Sequence, residues 1–344
     1  MLVLPLIVLL GCGDHGAEPG TSAPPAIAPL APSGAAHPSA SPPDVKVPTV
    51  TPTATVTNPA NGDQLAVYVY TPPTGTAPWP ALVVAPGGVE PALRSLPSNR
   101  QGAYLQTGFA LVLFDPDGRG ASTGTEDRGG AASQNGLAAV IDWAAHDSRV
   151  DPDRMGLMSL SYGITMASGV LANHQTPIRF LLDWEGPASR VYTAACGTVS
   201  PDRPRAPGWG ECGDEAYWSQ REAVNFIGRI KVPYQRVQFD RDHVQPTHQH
   251  AVDMVAAAEA GGVPWVRIND DEPNKKVTTE ADFTPLPNAR PQPLVLEHYA
   301  KALMEMTTGK PVVGDEPPMP ERATGAGGRA GGPGVNPGRG SSRP

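Results

Sequence analysis

Six short apolar runs, each four to six residues long, recur through the middle of the chain: Ala81–Ala85, Phe109–Phe114, Met155–Ser159, Phe180–Trp184, Tyr234–Phe239 and Trp265–Ile268. Runs this short, bounded by Gly, Pro, Asp and Asn, read as strands buried on both faces. Stretches of helical period lie between them, notably Ala131–Ala145 and Gln249–Ala260. Repeated strand–helix units pair their strands in parallel, because each crossover lays a helix on a face of the sheet. Ahead of these units, Thr49–Thr57 and Leu65–Tyr70 flank Asn61-Gly62-Asp63, a hairpin signal. The fold expected is α/β, a mostly parallel central sheet flanked by helices, with an antiparallel opening.

Composition separates this middle from the two ends. Of 344 residues, 38 are Gly and 41 Pro, gathered toward the termini. The chain opens with an apolar run closing on Leu9-Leu10-Gly11-Cys12, without a basic segment before it. A run of that length suits the apolar part of a secretory signal and is too short to span a bilayer. Its last four residues resemble a bacterial lipobox, which implies lipidation at Cys12 and a place in the cell envelope, periplasmic or on the outer-membrane surface. Residues 13–45, dominated by Ala, Pro, Ser and Gly, read as a spacer, because they cannot bury enough apolar area to offset their ordering entropy. Residues 313–344 read as a disordered Gly/Pro/Arg-rich tail, leaving 46–312 as the folded domain. A formal net charge of −8 argues against nucleic acid as a partner.

Ligands of such sheets bind beyond the carboxyl ends of the strands. There the run Met155–Ser159 leads through Leu160-Ser161-Tyr162-Gly163 into the helical stretch Ile164–Ala172. A strand, a tight turn of small residues and a helix are what lift a serine hydroxyl above a sheet. Ser159 stands where this motif ordinarily has glycine. The run at Ala81–Ala85 ends in Pro86-Gly87-Gly88, whose turn can offer an oxyanion N–H from Gly88 or Val89 beside that of Tyr162. Two further strand ends carry Asp115-Pro-Asp-Gly-Arg119 and Asp240-Arg241-Asp242-His243.

With all four landmarks in this order, residues 47–306 resemble the α/β-hydrolase superfamily, in its esterase, prolyl-oligopeptidase-like and dienelactone-hydrolase-like branches. The resemblance implies Ser161 as nucleophile and Asp242 as the acid that orients a histidine. Glu185, with Asp183, is the fallback acid, since some members place the acid one strand earlier. Asp115, Arg119 and Ser122 read as a structural turn. The family's histidine normally follows the last strand, yet the loop Val266–Asn274 has none. The expected base is therefore His298, presented by the Pro-rich loop Thr284–Pro293, with a helix-surface histidine as the alternative. His243 and His250 are held in reserve, His243 because its adjacency to Asp242 makes a productive pair hard to form. No cofactor or metal is implied, for His248 and His250 are two apart and diverge on a helix.

Residues 187–230 correspond to a cap insertion, with a helical stretch at Ala216–Ile230. Its Cys196 and Cys212 can bridge in an oxidising compartment; two unpaired thiols are the alternative. The expectation is a monomeric, lipid-anchored serine hydrolase acting on a carboxylic ester, less readily on a peptide or amide. A non-catalytic binding protein on the same scaffold is the alternative.

Overall fold

The computed structural model describes residues 50–197 and 208–314. The signal segment with Cys12, the spacer 13–45 and all but the first two residues of the tail lie outside the described residues.

The antiparallel opening is β1 (Ala54–Thr57) paired with β2 (Gln64–Tyr70), which in turn pairs antiparallel with β4 (Ala110–Phe114). From there β3 (Trp79–Ala85), β5 (Val150–Leu160), β6 (Ile178–Trp184), β7 (Tyr234–Val237) and β8 (Val266–Ile268) run parallel. Among the described residues, the sheet has eight strands in the order β1-β2-β4-β3-β5-β6-β7-β8. All five residues of β4, and the last six of β3 and of β5, are buried, as strands covered on both faces must be.

Among the described residues, eight α-helices flank the sheet: α1 (Ala92–Ser95), α2 (Ser98–Thr107), α3 (Ala131–Ala145), α4 (Ile164–Asn173), α5 (Glu215–Trp218), α6 (Val224–Ile227), α7 (Gln249–Ala260) and α8 (Gln292–Thr308). One face packs α3, α4, α6 and α7 in sequence, enclosing Leu137, Val140, Met166, Val170, Ile227 and Val255. The other packs α2 against α8, enclosing Tyr104, Leu296, Tyr299 and Leu303 with the opposite side chains of the strands. The two cores follow from the period-2 alternation of each strand. None of the described helices is long and apolar enough to cross a membrane.

Two local expectations change. The stretch Ala216–Ile230 is two single turns, not one helix. Asp214 caps the first by accepting the Tyr217 N–H, and Trp218 then buries completely. Between the turns, Arg221 and Glu222 face inward to pair with Asp127 and Arg190, which a continued helix would prevent. The Pro-rich loop, for its part, lies alongside β7, with Leu286 bridged to Phe239.

Candidate active site

Ser161 sits where β5 gives way to a single 3-10 turn, Ser161–Gly163, and then to α4. Its φ of +50° is the left-handed conformation that a sharp strand-to-helix turn imposes on a nucleophile. The turn is tight enough that a Cβ on Gly163 would meet the Ala85 carbonyl oxygen at 2.3 Å, so glycine is required there. Ser159 does not crowd the turn. It points below the sheet end and donates to Asp183 Oδ1 at 3.1 Å.

The imidazole beside Ser161 belongs to His243. Its Nε2 lies 2.8 Å from Ser161 Oγ, and its Nδ1 lies 2.7 Å from Glu185 Oε2. With a carboxylate on Nδ1, the tautomer that fits is Nδ1–H, leaving Nε2 to accept the serine proton. Trp184 stacks on the same ring at 4.5 Å and 25°, restraining its plane. Glu185 has a φ of +46°, so both ends of the Ser–His–Glu line stand on left-handed backbone.

This arrangement corrects the sequence expectation at the base and at the acid. His298 lies half-buried on α8, against the ring of Tyr299, and is not among the residues around Ser161. The sheet brings β7 beside β6, with Trp184 opposite Val237, and so carries the loop after β7 directly over the residue after β6. His243 therefore meets a carboxylate from the neighbouring strand, and its adjacency to Asp242 is no obstacle to that contact.

Asp242 serves the loop instead. Its Oδ1 accepts the N–H groups of Val244 and Gln245, both at 2.7 Å, and its Oδ2 accepts from Gln238 at 2.9 Å. Its nearest approach to His243 Nδ1 is 3.6 Å. Burial would raise this carboxyl, but His250, the Gln238 amide and the Gln245 N–H outweigh it and hold it well below the usual carboxylate range. His250 is fully buried, with Nε2 at 3.2 Å from Asp242 Oδ2 and Nδ1 at 3.1 Å from the Gly186 carbonyl. It stands behind Asp242 and has no contact with the serine hydroxyl.

The N–H groups expected to form an oxyanion site belong to two turns beside Ser161. Tyr162 is the second residue of the 3-10 turn, within the first turn where N–H groups lack intrahelical partners. Glu90 N–H closes a turn onto the Gly87 carbonyl, leaving Gly88, with φ +53°, and Val89 at its centre. Gly88 lines the cavity, while Val89 is exposed. Asp115 braces this loop by accepting the Ala92 N–H at 2.8 Å, the Ala121 N–H at 2.9 Å and the Tyr68 hydroxyl at 3.0 Å.

The cavity over Ser161 has a volume of about 160 Å³. The cap insertion walls it with Pro187, Tyr192, Thr193, Ala194 and Trp209. Trp209 meets Tyr162 edge-on at 4.8 Å and stacks on Trp218 at 5.8 Å. Cys196 and Cys212 are joined by a disulfide. Glu185, Asp242 and His243 bring ligand-type atoms within 4.8 Å of one another, but each is turned to a protein partner, which accounts for their convergence.

Residues 61–284, more than half the chain, match the X-Pro dipeptidyl-peptidase (S15) family. The chain belongs to that family. With its parallel sheet and serine elbow, this S15 member is a serine hydrolase of the α/β-hydrolase superfamily. Among solved structures it is similar to an esterase of Pyrococcus furiosus, at 15% identity and TM-score 0.51 over 73% of this chain and 89% of that one. A 2,6-dihydroxy-pseudo-oxynicotine hydrolase is similar at 17% identity and TM-score 0.51, over 73% and 67% of the two chains. A puromycin hydrolase follows at 15% and 0.53, over 78% and 41%. At these identities the likeness is one of fold. No curated protein matches the sequence of this S15 member.

Proposed function

We propose that this protein hydrolyses carboxylic esters of small acyl groups, with Ser161 as nucleophile, His243 as general base and acid, and Glu185 as the carboxylate that orients it. The observation that carries the reading is the continuous line from Ser161 Oγ through His243 to Glu185, at 2.8 and 2.7 Å. Ser161 Oγ attacks the carbonyl carbon while its proton passes to His243 Nε2, and Glu185 stabilises the resulting imidazolium. The tetrahedral oxyanion takes the N–H groups of Tyr162 and of Gly88 or Val89. Collapse expels the alcohol, protonated by His243, and a water then repeats the sequence on the acyl-enzyme.

The preference for an ester over a dipeptide rests on the cavity. A substrate with a free α-ammonium needs an anion to receive it. Among the described residues, the carboxylates lining the cavity are Glu185 and Asp242, and both are already occupied by donors of the protein itself. A space of about 160 Å³ between Trp209, Tyr192 and Ala194 suits a short acyl chain. The family description favours the second reading, cleavage of an X-Pro peptide. Export and anchoring through Cys12 complete the proposal, resting on the Leu9–Cys12 sequence alone.

The test sets p-nitrophenyl acetate against an Ala-Pro p-nitroanilide, with a fluorophosphonate probe beside both. Labelling at Ser161 with turnover of the ester and none of the anilide is the expected result. Preferential turnover of the anilide transfers the assignment to the peptidase. Absence of labelling in folded protein removes the nucleophile.

A further inference from the structure

Beneath the Ser161–His243–Glu185 line lies a set of buried polar side chains that no reacting group touches. Arg236, on β7, is fully buried. Its Nη1 donates to Asp183 Oδ2 at 2.6 Å and to the Gly186 carbonyl at 2.7 Å, and its Nη2 donates to Gln238 Oε1 at 2.9 Å. A guanidinium only donates, so it fixes which end of the Gln238 amide faces it. The amide nitrogen is thereby turned the other way. It donates to Asp242 Oδ2 at 2.9 Å and reaches Glu185 Oε1 at 3.4 Å. The Gln238 backbone is pinned from β8, where the buried Asn269 accepts its N–H at 2.8 Å and donates to its carbonyl at 2.9 Å.

Two carboxylates thus converge on one imidazole nitrogen, Glu185 at 2.7 Å and Asp242 at 3.6 Å. Left to themselves they would offer His243 two orientations. Stability alone is a weak reason for a buried Arg–Asp pair, because apolar side chains of similar volume usually serve as well. We propose that Gln238, oriented by Arg236, is a positioning residue for the catalytic imidazole: it ties Asp242 to its loop and leaves Glu185 as the acceptor of the His243 Nδ1 proton. The proposal rests on Ser161 and His243 acting as the nucleophile and base assigned above.

Among the described residues, the titratable groups around His243 include Tyr192 of the cap, whose hydroxyl donates to Asp253 at 2.6 Å. Glu185 comes from the end of β6, Asp242 from its own loop and Tyr162 from the serine turn, while His250 of α7 stands behind Asp242 and Arg236 with Asp183 lies beneath. The Gln238 amide hydrogens offset the field of both carboxylates. Without them the negative field of the two carboxylates at the imidazole is uncompensated, and its ring is held less well.

The test measures the second-order rate of fluorophosphonate labelling at Ser161 between pH 5 and 9, in the full chain and in Gln238→Met. The variant is expected to lose about tenfold in the plateau rate, as a displaced catalytic group does. The midpoint of its acid limb is expected to rise by about half a pH unit. A merely structural role would lower the fraction of protein that labels and leave the midpoint in place, which overturns the proposal. Should Gln238→Met fail to fold, Arg236→Lys keeps the buried charge, removes the fork to Gln238 and is read in the same way. An unlabelled wild-type protein overturns the nucleophile assignment and this proposal with it. A labelled wild type with an unshifted variant overturns only the positioning.

Discussion

Exchanging Glu185 for Gln tests the reassigned acid most directly. Glu185 Oε2 lies 2.7 Å from His243 Nδ1. At that distance, with an effective dielectric of about 20, a carboxylate and an imidazolium attract by about 6 kcal/mol. A neutral amide oxygen keeps part of this. It also creates a conflict, because Glu185 now accepts from the Phe239 N–H at 3.0 Å and from His243 on its two oxygens. Whichever way the new amide turns, its NH2 faces a donor. Allowing for both effects, about 4 kcal/mol of transition-state stabilisation is lost, roughly a thousandfold in rate. Asp242→Asn is expected to cost far less, about tenfold, through the loop it organises. The assay is kcat/KM for p-nitrophenyl acetate, with circular dichroism to confirm folding. If Glu185→Gln keeps more than a tenth of wild-type activity while Asp242→Asn loses a thousandfold, Asp242 is the acid and the geometric argument is wrong.

Three further outcomes follow from the same structure. Asp115→Asn removes a charge shared by three donors, two of them buried; it should destabilise the protein by about 3 kcal/mol in urea titration and lower kcat more than it raises KM, and an unchanged kcat would detach the oxyanion loop from Asp115. Trp209→Ala opens the cap wall over Ser161, so the octanoate ester should gain on the acetate in kcat/KM, and an unaltered ratio would place the acyl chain elsewhere. Because the folded-state pKa of Asp242 is depressed, its contribution to stability is present above the unfolded value of about 4 and is lost as the pH falls below it. The gap between the urea midpoints of wild type and Asp242→Asn should therefore be widest at pH 7 and narrow progressively as the pH falls below about 4, and a constant gap would refute the depressed pKa.

Much of the molecule was legible from the chain alone because the signals were local. A strand buried on both faces must be apolar along its length, so β3, β4 and β6 announce themselves, and Ala131–Ala145 and Gln249–Ala260 hold as α3 and α7 without change. Ser161 was equally local, since strand, nucleophile and helix are contiguous and Gly163 marks the close approach to Ala85. The cap reading failed in detail at Ser219–Ala223, where Arg221 and Glu222 answer to charges elsewhere in the sequence.

The base and the acid were not local in this sense. His243 and Glu185 are separated by 58 residues and meet only because β7 hydrogen-bonds beside β6 in one register. The family resemblance led to the expectation of a histidine after the last strand, where the chain instead places Asn269 to brace Gln238. The paired positive φ of Ser161 and Glu185 carries no residue-type signature, because neither is glycine. The sequence by itself determined the mostly parallel sheet, the helices on both its faces and the serine elbow at Ser161. Strand pairing decided which imidazole and which carboxylate reach it, because hydrogen-bond distances of under 3 Å between distant residues are set by register and not by spacing along the chain.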